Sequence, residues 1–149
     1  MAEKEYIVVG GDNARRRAAS FRLMGDGLDP DAITRITGLE PKHAYRKGDR
    51  RIRQDGSTAA FRKGLWSLDT SGEVPDEVDL DTHLAWLLDR LEPSAEDLRA
   101  LMVEQGLAAD FFCGYFMGGW NNGFALSPRT LARIAALGAE LGLDIYGPE

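Results

Sequence analysis

Cysteine and histidine are the residue types in this 149-residue chain that could support nucleophilic catalysis. The sequence has one cysteine, Cys113, within an aromatic run, and two histidines, His43 and His83. A reactive thiol needs a nearby histidine or cation that lowers its pKa, and nothing in the sequence pairs Cys113 with either histidine. We therefore expect a buried packing cysteine, no disulfide framework and no catalytic residue, so the sequence favours a noncatalytic protein without excluding an enzyme.

Two other stretches resemble ligand-binding motifs but lack essential residues. Residues 8–13 read V-V-G-G-D-N, without the third glycine of G-x-G-x-x-G or the G-K-[ST] of a phosphate loop. The carboxylates between Glu73 and Asp81 miss the calcium-loop spacing and its central glycine. Two widely separated histidines do not give a usual zinc pattern. We predict no metal and no cofactor.

A group of aromatic and amide side chains is the best candidate for a binding site. Trp and Tyr offer a large contact area with a polar handle, and Asn adds hydrogen-bonding groups. The group consists of Trp66, Tyr115, Trp120, Asn121 and Asn122. These side chains would line one sheet face if the strand carrying Trp66 lay beside the strand carrying Tyr115. Alternatively, Trp66 packs in the core beneath the helices.

The charge is unevenly distributed along the chain. Residues 1–63 hold 14 Lys/Arg against 9 Asp/Glu, whereas residues 64–149 hold 4 against 15. Most of the basic excess lies in residues 46–62, which we expect to form an exposed loop, either simply solvated or docking an acidic partner. Arg50 and Arg51 are its candidate contact residues. Because the whole chain has a net charge of −6, we predict no nucleic-acid binding.

Two segments of the chain are similar in sequence, which suggests two related structural units. Residues 28–39 and 126–137 share five identical positions of twelve. Each begins with a capping residue, Asp29 or Ser127, followed by a proline suited to the first helical position. Both segments are therefore predicted to be helices. Strand-like runs precede and follow each of them, at residues 18–24, 42–45, 111–117 and 143–146.

The remaining segments show equally simple patterns. Residues 63–70 alternate as a strand with one buried face, and leucines recur at helical spacing from Leu80 to Leu91 until Pro93 ends the helix. Ser94 is predicted to cap a second helix. Residues 120–123, W-N-N-G, resemble a hairpin turn, because Asn-Gly accepts the backbone angles of tight hairpins. A further strand is predicted at residues 6–9, followed by a turn at residues 10–13.

These elements predict a single α+β domain over residues 1–149. Its expected architecture is a ferredoxin-like two-layer sandwich built from two β-α-β units, with a mostly antiparallel sheet and helices on one face. Residues 1–17 form an N-terminal strand and turn extension, and residues 46–62 the basic loop. The start of the chain does not resemble a secretory signal and no apolar run is long enough to span a bilayer, so we expect a cytoplasmic protein without membrane contact.

The order of these features over residues 18–147 resembles the bacterial family called domain of unknown function 4279. The residues that carry the resemblance are Phe21, the L-D-P of 28–30, Ile33, the G-L-W-S of 64–67, the leucine helix through Leu91, Cys113, the L-S-P of 126–128 and the L-G-L-D-I-Y of 141–146. The resemblance implies a small bacterial α+β protein and transfers no activity or catalytic residue. It also implies a possible role, to be tested, as the immunity-type partner of a toxin.

Two functions from different classes remain open at the level of sequence. The first is a noncatalytic protein-interaction module, such as an immunity-type partner, that binds another protein or a second copy of itself. The absence of a catalytic set and the strong charge polarity favour this hypothesis. The alternative is a small-ligand-binding regulatory domain with an aromatic pocket near Trp66 and Trp120.

Overall fold

The computed structural model describes residues 11–149 of the chain. The strand predicted at residues 6–9, the start of the turn at residues 10–13 and most of the N-terminal extension lie outside the described residues. Within residues 11–149, none of the helices is both long and apolar enough to cross a lipid bilayer. The described chain forms a mixed α+β structure with a five-stranded sheet.

Most of the secondary structure agrees with the sequence patterns, but residues 50–52 and 58–60 form strands within the stretch 46–62 that the sequence predicts to be a loop. The strands are β1 (Ala14–Gly25), β2 (His43–Tyr45), β3 (Arg50–Ile52), β4 (Thr58–Ala60), β5 (Gly64–Asp69), β6 (Ala108–Met117) and β7 (Glu140–Tyr146). The helices are α1 (Pro30–Thr37), α2 (Leu80–Leu91), α3 (Ala95–Gln105) and α4 (Pro128–Ala136), and a short 3₁₀ turn at Glu92–Ser94 joins α2 to α3. Pro93 lies in that turn, so the predicted end of the leucine helix is confirmed.

The five-stranded sheet has the order β2-β5-β1-β6-β7. All neighbouring strands are antiparallel except β6 and β7, which are parallel. The sheet is therefore mostly antiparallel, as predicted. The ferredoxin-like arrangement of two matching β-α-β units is not confirmed by this order. In the first unit β5 separates β1 from β2, whereas in the second unit β6 pairs directly with β7.

The two proline-initiated helices begin as the sequence predicts. The Asp29 side chain accepts hydrogen bonds from the backbone N–H groups of Asp31 and Ala32 at the start of α1. The Ser127 side chain accepts one from the N–H of Thr130 at the start of α4. These bonds satisfy amide groups that have no partner within a helix. Gly38 then ends α1 in a left-handed conformation with φ of 67°, which glycine adopts without steric penalty.

A single apolar core lies between the sheet and the four helices. From the sheet, Phe21, Trp66 and Phe111 are fully buried in it, and Ile33 of α1 and Ile134 of α4 pack into the same cluster. The buried leucines of α2 complete it: Leu80, Leu84, Leu87, Leu88 and Leu91. Because all four helices contribute to one cluster, they cover the same face of the sheet. The other face, which carries alternate residues of each strand, has no helix over it.

The hairpin turn predicted at residues 120–123 is wrong. No strand lies between β6 and α4, and the chain runs from Met117 through a loop to α4. The Asn122 side chain makes tertiary contacts: its Oδ1 accepts a hydrogen bond from the backbone N–H of Asn13 at 3.0 Å. An Asn-Gly pair favours a hairpin only where a second strand can pair, and here the residues after it form a capped helix.

The capping bond predicted for Ser94 is also wrong, although Ser94 does precede α3. Its side chain makes no capping hydrogen bond to α3. The hydroxyl donates instead to the backbone carbonyl of Ile36 at 3.1 Å, which links this turn to the last part of α1. The 3₁₀ turn places Ser94 outside the extended conformation that a capping side chain normally requires.

The cap of α4 gives a first testable prediction. Ser127→Ala should lower the free energy of unfolding by about 1 kcal/mol, because it removes the hydrogen bond to the Thr130 amide. Urea denaturation monitored by circular dichroism measures this change. The matched control is Ser71→Ala, at an exposed position, which should change stability by less than about 0.5 kcal/mol. Equal effects of the two substitutions would contradict the capping role.

Candidate binding site

A small hairpin formed by β3 and β4 lies beside the open face of the sheet. The hairpin pairs Arg50 with Ala60 and Ile52 with Thr58, so part of the basic stretch 46–62 has strand structure. It contacts the main sheet through aromatic stacking: the rings of Tyr45 and Phe61 lie 3.5 Å apart between centroids and 13° from parallel. Tyr45 belongs to β2, so this stack joins the base of the hairpin to the edge of the sheet.

Ion pairs strengthen this attachment. Arg46 contacts the carboxylates of Asp29 at 2.7 Å and Asp31 at 3.1 Å, and Lys47 lies 3.2 Å from Asp26. These pairs are partly exposed, and such pairs are individually weak. Together with the aromatic stack, they hold the hairpin over one end of the open sheet face.

An open cleft of about 490 Å³ separates the hairpin from the open sheet face. Its walls come from β1, β2, β5 and the hairpin segment, and its lining is rich in cations and contains no carboxylate. The lining residues are Arg22, Met24, Tyr45, Arg51, Arg53, Ala59, Ala60, Phe61, Arg62, Lys63, Gly64 and Leu65. The arrangement brings residue 22 together with residues 51–63, which are distant in sequence. We call this feature the basic cleft.

The cations of the basic cleft differ in their partners. Arg22 is neutralised by Asp110 of β6 through two hydrogen bonds of 2.8 and 2.6 Å, which raise the pKa of Arg22. The other four are Arg51, Arg53, Arg62 and Lys63. Within the described part of the chain, none of these four forms an ion pair with a carboxylate. The basic cleft therefore has a local excess of positive charge on an overall acidic molecule.

The open sheet face extends away from the basic cleft as a row of arginines over aromatic rings. The guanidinium of Arg22 lies 4.3 Å from the Phe112 ring centroid, and that of Arg16 lies 5.1 Å from Phe116. Phe116 in turn stacks on Tyr146 of β7, with centroids 4.4 Å apart. Arginine and aromatic side chains are enriched in protein–protein interfaces, so this face has the composition of a contact surface.

The structure separates the aromatic residues that the sequence grouped. Trp66 is buried in the core, where its Nε1–H donates to the Thr34 hydroxyl at 3.1 Å. Tyr115 faces the same helix layer but pairs with Arg17, whereas Trp66 pairs with Leu23, six positions away along β1. At strand spacing this separation is about 20 Å. Trp66 therefore has the core position that the sequence left open as the alternative.

Tyr115 belongs to a partly buried polar network at the other end of the sheet. Its hydroxyl donates to Asp12 Oδ1 at 2.8 Å and lies 2.8 Å from Asn122 Oδ1. Asp12 also forms an ion pair with the buried Arg17 at 2.6 Å, and Arg17 donates to the carbonyl of Glu77. Burial and the bond to Asp12 raise the pKa of Tyr115 to about 12. These bonds tie β1 and β6 to two loops.

The remaining sequence candidates lie at different places. Trp120 is 82% exposed, and Asn121 is exposed beside it in the loop after β6. Arg51 lines the basic cleft, and Arg50 lines an adjoining cavity. Of the residues that the sequence named as contact candidates, Arg51 lines the basic cleft, and its role in contacts stays a prediction. The sequence analysis did not identify Arg22, because Arg22 comes close to the hairpin only through the pairing of β1 with its neighbouring strands.

The groups considered for catalysis do not form a reactive set. Burial raises the pKa of the Cys113 thiol to about 12. Both ring nitrogens of the buried His83 are engaged, Nδ1 with the Thr70 hydroxyl at 2.7 Å and Nε2 with the Pro75 carbonyl at 3.1 Å. His43 is exposed on β2. Among residues 11–149, no cluster of three or more His, Cys, Asp or Glu side chains has the geometry to hold a metal ion.

Fold and site together define a small α+β protein whose sheet is covered by helices on one face and carries a basic cleft on the other. The chain belongs to the family described as "Domain of unknown function (DUF4279)", whose family model matches residues 14–148. The resemblance in the sequence is therefore confirmed over nearly the whole chain. No curated protein and no solved structure matches it.

The buried histidine predicts a pH dependence of stability. Because the Pro75 carbonyl can only accept a hydrogen bond, Nε2 of His83 carries a proton, and in the neutral ring Nδ1 accepts from the Thr70 hydroxyl. Burial lowers the pKa of His83 below 6.5 in the folded state. The unfolded state therefore binds more protons than the folded state. The stability that neutral His83 contributes is present above about pH 6.5 and is lost as the pH falls below that value.

Urea denaturation between about pH 7.5 and about pH 5.5 measures this loss, in a range where most carboxylates remain ionised. The control variant His83→Gln removes the titrating group but retains an amide. Its free energy of unfolding should vary less with pH than that of the wild type. An unchanged pH dependence in the variant would assign the effect to other groups.

The thiol gives a second prediction for this region. With a pKa of about 12, about one Cys113 thiol in ten thousand is ionised at pH 8, and the side chain has no exposed surface. An aromatic disulfide reagent should therefore leave the folded protein unmodified and label one thiol per chain in urea. Rapid labelling of the folded protein would show that Cys113 is accessible.

Proposed function

We propose that this protein is a noncatalytic interaction module that binds an acidic surface of another protein through the basic cleft and the adjoining open sheet face. One observation carries the proposal: four of the five cations of the basic cleft, Arg51, Arg53, Arg62 and Lys63, have no carboxylate partner in the described chain. Solvated cations of this kind can form ion pairs with a partner without first breaking internal ones.

The distribution of charge supports the same proposal. A positive region on a molecule with a net charge of −6 favours one orientation of approach to an acidic partner and disfavours others. The hairpin is held in place by the Tyr45–Phe61 stack, so two arginines of β3 start from a defined position. Fixing contact residues before binding lowers the entropy lost on association.

The open sheet face offers apolar contact area for a partner, in addition to the charges of the basic cleft. Phe112, Phe116 and Tyr146 present aromatic surface there, and Arg16 and Arg22 lie over two of the rings. Interfaces combine such an aromatic centre with a polar rim. Binding by an immunity-type partner would be one instance of this function.

A regulatory domain that binds a small anion is the second candidate. The observation in its favour is the basic cleft itself, whose volume of about 490 Å³ lies within the range of small-molecule sites. The stacked Tyr45 and Phe61 rings form part of its wall. In this second candidate function, the binding pocket lies at the hairpin and not near Trp66 and Trp120, where the sequence led us to expect it.

We also propose that part of the sheet has ferredoxin-like connectivity. α1 connects β1 to β2 with β5 between them, and α2 with α3 connects β5 to β6 with β1 between them. In each case the intervening strand is antiparallel to both of its neighbours. α4 and β7 then extend this unit at one edge. An experimental structure in which β5 and β6 do not flank β1 would contradict this proposal.

Charge reversal in the basic cleft tests the proposed function. A fluorescein-labelled oligoglutamate peptide is the probe, and fluorescence anisotropy measures its binding at low salt. The double variant Arg51→Glu with Arg53→Glu should weaken binding at least about tenfold, or about 1.4 kcal/mol, because two attractive contacts become repulsive. Added salt should weaken binding by the wild type.

The matched control is Arg99→Glu with Arg129→Glu, which changes the net charge equally at exposed positions on α3 and α4. This control should bind the peptide as the wild type does. Equal binding by both double variants, or none by the wild type, would overturn the proposal. Inorganic phosphate that displaces the peptide at low concentration would favour the small-anion function instead.

A further inference from the structure

The two edges of the five-stranded sheet differ in how they are protected. At one edge β2 has only three residues, is flanked by Lys42 and Arg46, and lies beside the hairpin. Short strands, nearby lysine and covering loops are common ways to prevent an edge from pairing with another chain. At the other edge β7 has seven residues and pairs, within the described chain, with β6 alone.

β7 has fewer protections than β2, and its charged residues are Glu140 and Asp144. Its sequence, E-L-G-L-D-I-Y, contains no lysine, arginine or proline, and its pairing with β6 shows no bulge. Leu143 is 42% exposed, Ile145 53% and Tyr146 45%. An exposed apolar edge of this length presents a row of unpaired backbone groups that favours addition of a strand.

We propose that the strand added to β7 is β7 of a second copy of this chain, paired antiparallel about a two-fold axis at Leu143. Two five-stranded sheets would then become one continuous ten-stranded sheet with both helix layers on the same side. Two-fold dimers are the commonest symmetric assemblies. The proposal does not depend on the basic cleft or on the proposed function.

The charges on β7 disfavour the two registers next to this one, and the axis at Leu143 pairs more of the strand than the axes at Leu141 or Ile145. Residues directly opposite each other in a strand pair point to the same side of the sheet. If the helices of both copies are to lie on one side, each residue of β7 must therefore oppose a residue of the partner strand that points to the same face. This condition places the two-fold axis at a residue rather than between two residues. An axis at Gly142 would place Glu140 opposite Asp144 of the partner subunit, and an axis at Asp144 would oppose two aspartates. Like charges directly opposite each other destabilise a strand pair.

An axis at Leu143 avoids both clashes and joins apolar groups. Leu143 then meets its own counterpart, and Leu141 lies opposite Ile145 of the partner subunit, on the helix-covered side. On the other side Glu140 lies opposite Tyr146 of the partner subunit. These pairs bury side chains that are exposed in the single copy, so the apolar pattern of β7 is complementary to itself.

Analytical ultracentrifugation of the purified chain tests the assembly. The wild type should sediment as a dimer at high concentration, and added salt should favour the dimer because it screens the repulsion between two chains of net charge −6. Leu143→Lys and Leu143→Glu should each be monomeric, because each places like charges at the axis. An equimolar mixture of the two should form a dimer again, since residue 143 then faces the opposite charge.

Val103→Lys is the matched control, because Val103 is 84% exposed on α3 and the substitution adds the same charge elsewhere. It should remain dimeric. Circular dichroism and thermal unfolding establish that each variant is folded. A monomeric wild type, a dimeric Leu143→Lys variant, or a mixture that stays monomeric would overturn the proposal, and the first of these leaves the charge-reversal test of the basic cleft unaffected.

A cysteine variant provides a measurement that does not depend on the charged substitutions. Residues opposite each other in a strand pair have Cβ atoms about 5 Å apart, within reach of a disulfide after small adjustments. Leu143→Cys should therefore form a disulfide-linked dimer on mild oxidation, seen on a non-reducing gel. Val103→Cys should remain unlinked, and Cys113 is buried and does not interfere. Equal cross-linking of both variants would contradict the register.

Discussion

The alternation of side chains along β1 is the constraint on which the rest of the structure depends. β1 is the middle strand of the sheet, so its residues are enclosed by β5 on one side and β6 on the other. Phe21 and Leu23 point into the helix-covered core, and Arg22 between them points to the open face. The same alternation on β6 places Phe111 in the core and Phe112 beneath the Arg22 guanidinium. The apolar core and the row of arginines over aromatic rings thus come from opposite sides of the same strands.

Local patterns in the sequence were enough to predict most elements and one face of the sheet. Capping residues followed by proline located α1 and α4, and leucine spacing located α2, because these signals involve neighbours within one turn of helix. The alternation around Trp66 predicted a strand, which the structure confirms, with Trp66 and Leu68 buried on the helix side; Ser67 on the opposite side is buried as well. The family resemblance was likewise carried by the order of these local features.

The candidate site could not be predicted in the same way, because it depends on contacts between distant parts of the chain. Arg22 reaches the hairpin only through the strand order, and no local pattern reports that order. Trp66 and Tyr115 share a face, as expected, but their register puts them at opposite ends of it. Asn122 shows a related failure, since a tertiary hydrogen bond to Asn13 replaces the predicted turn.

The hairpin has a ladder of its own: β3 and β4 pair with each other, and neither joins the five-stranded sheet. Displacing it would separate the Tyr45 and Phe61 rings and a few exposed ion pairs but would break no strand pairing of the sheet. The position of the hairpin therefore depends on side-chain contacts rather than on strand pairing, so the shape of the basic cleft can change by substitution without altering the ladder of the five-stranded sheet.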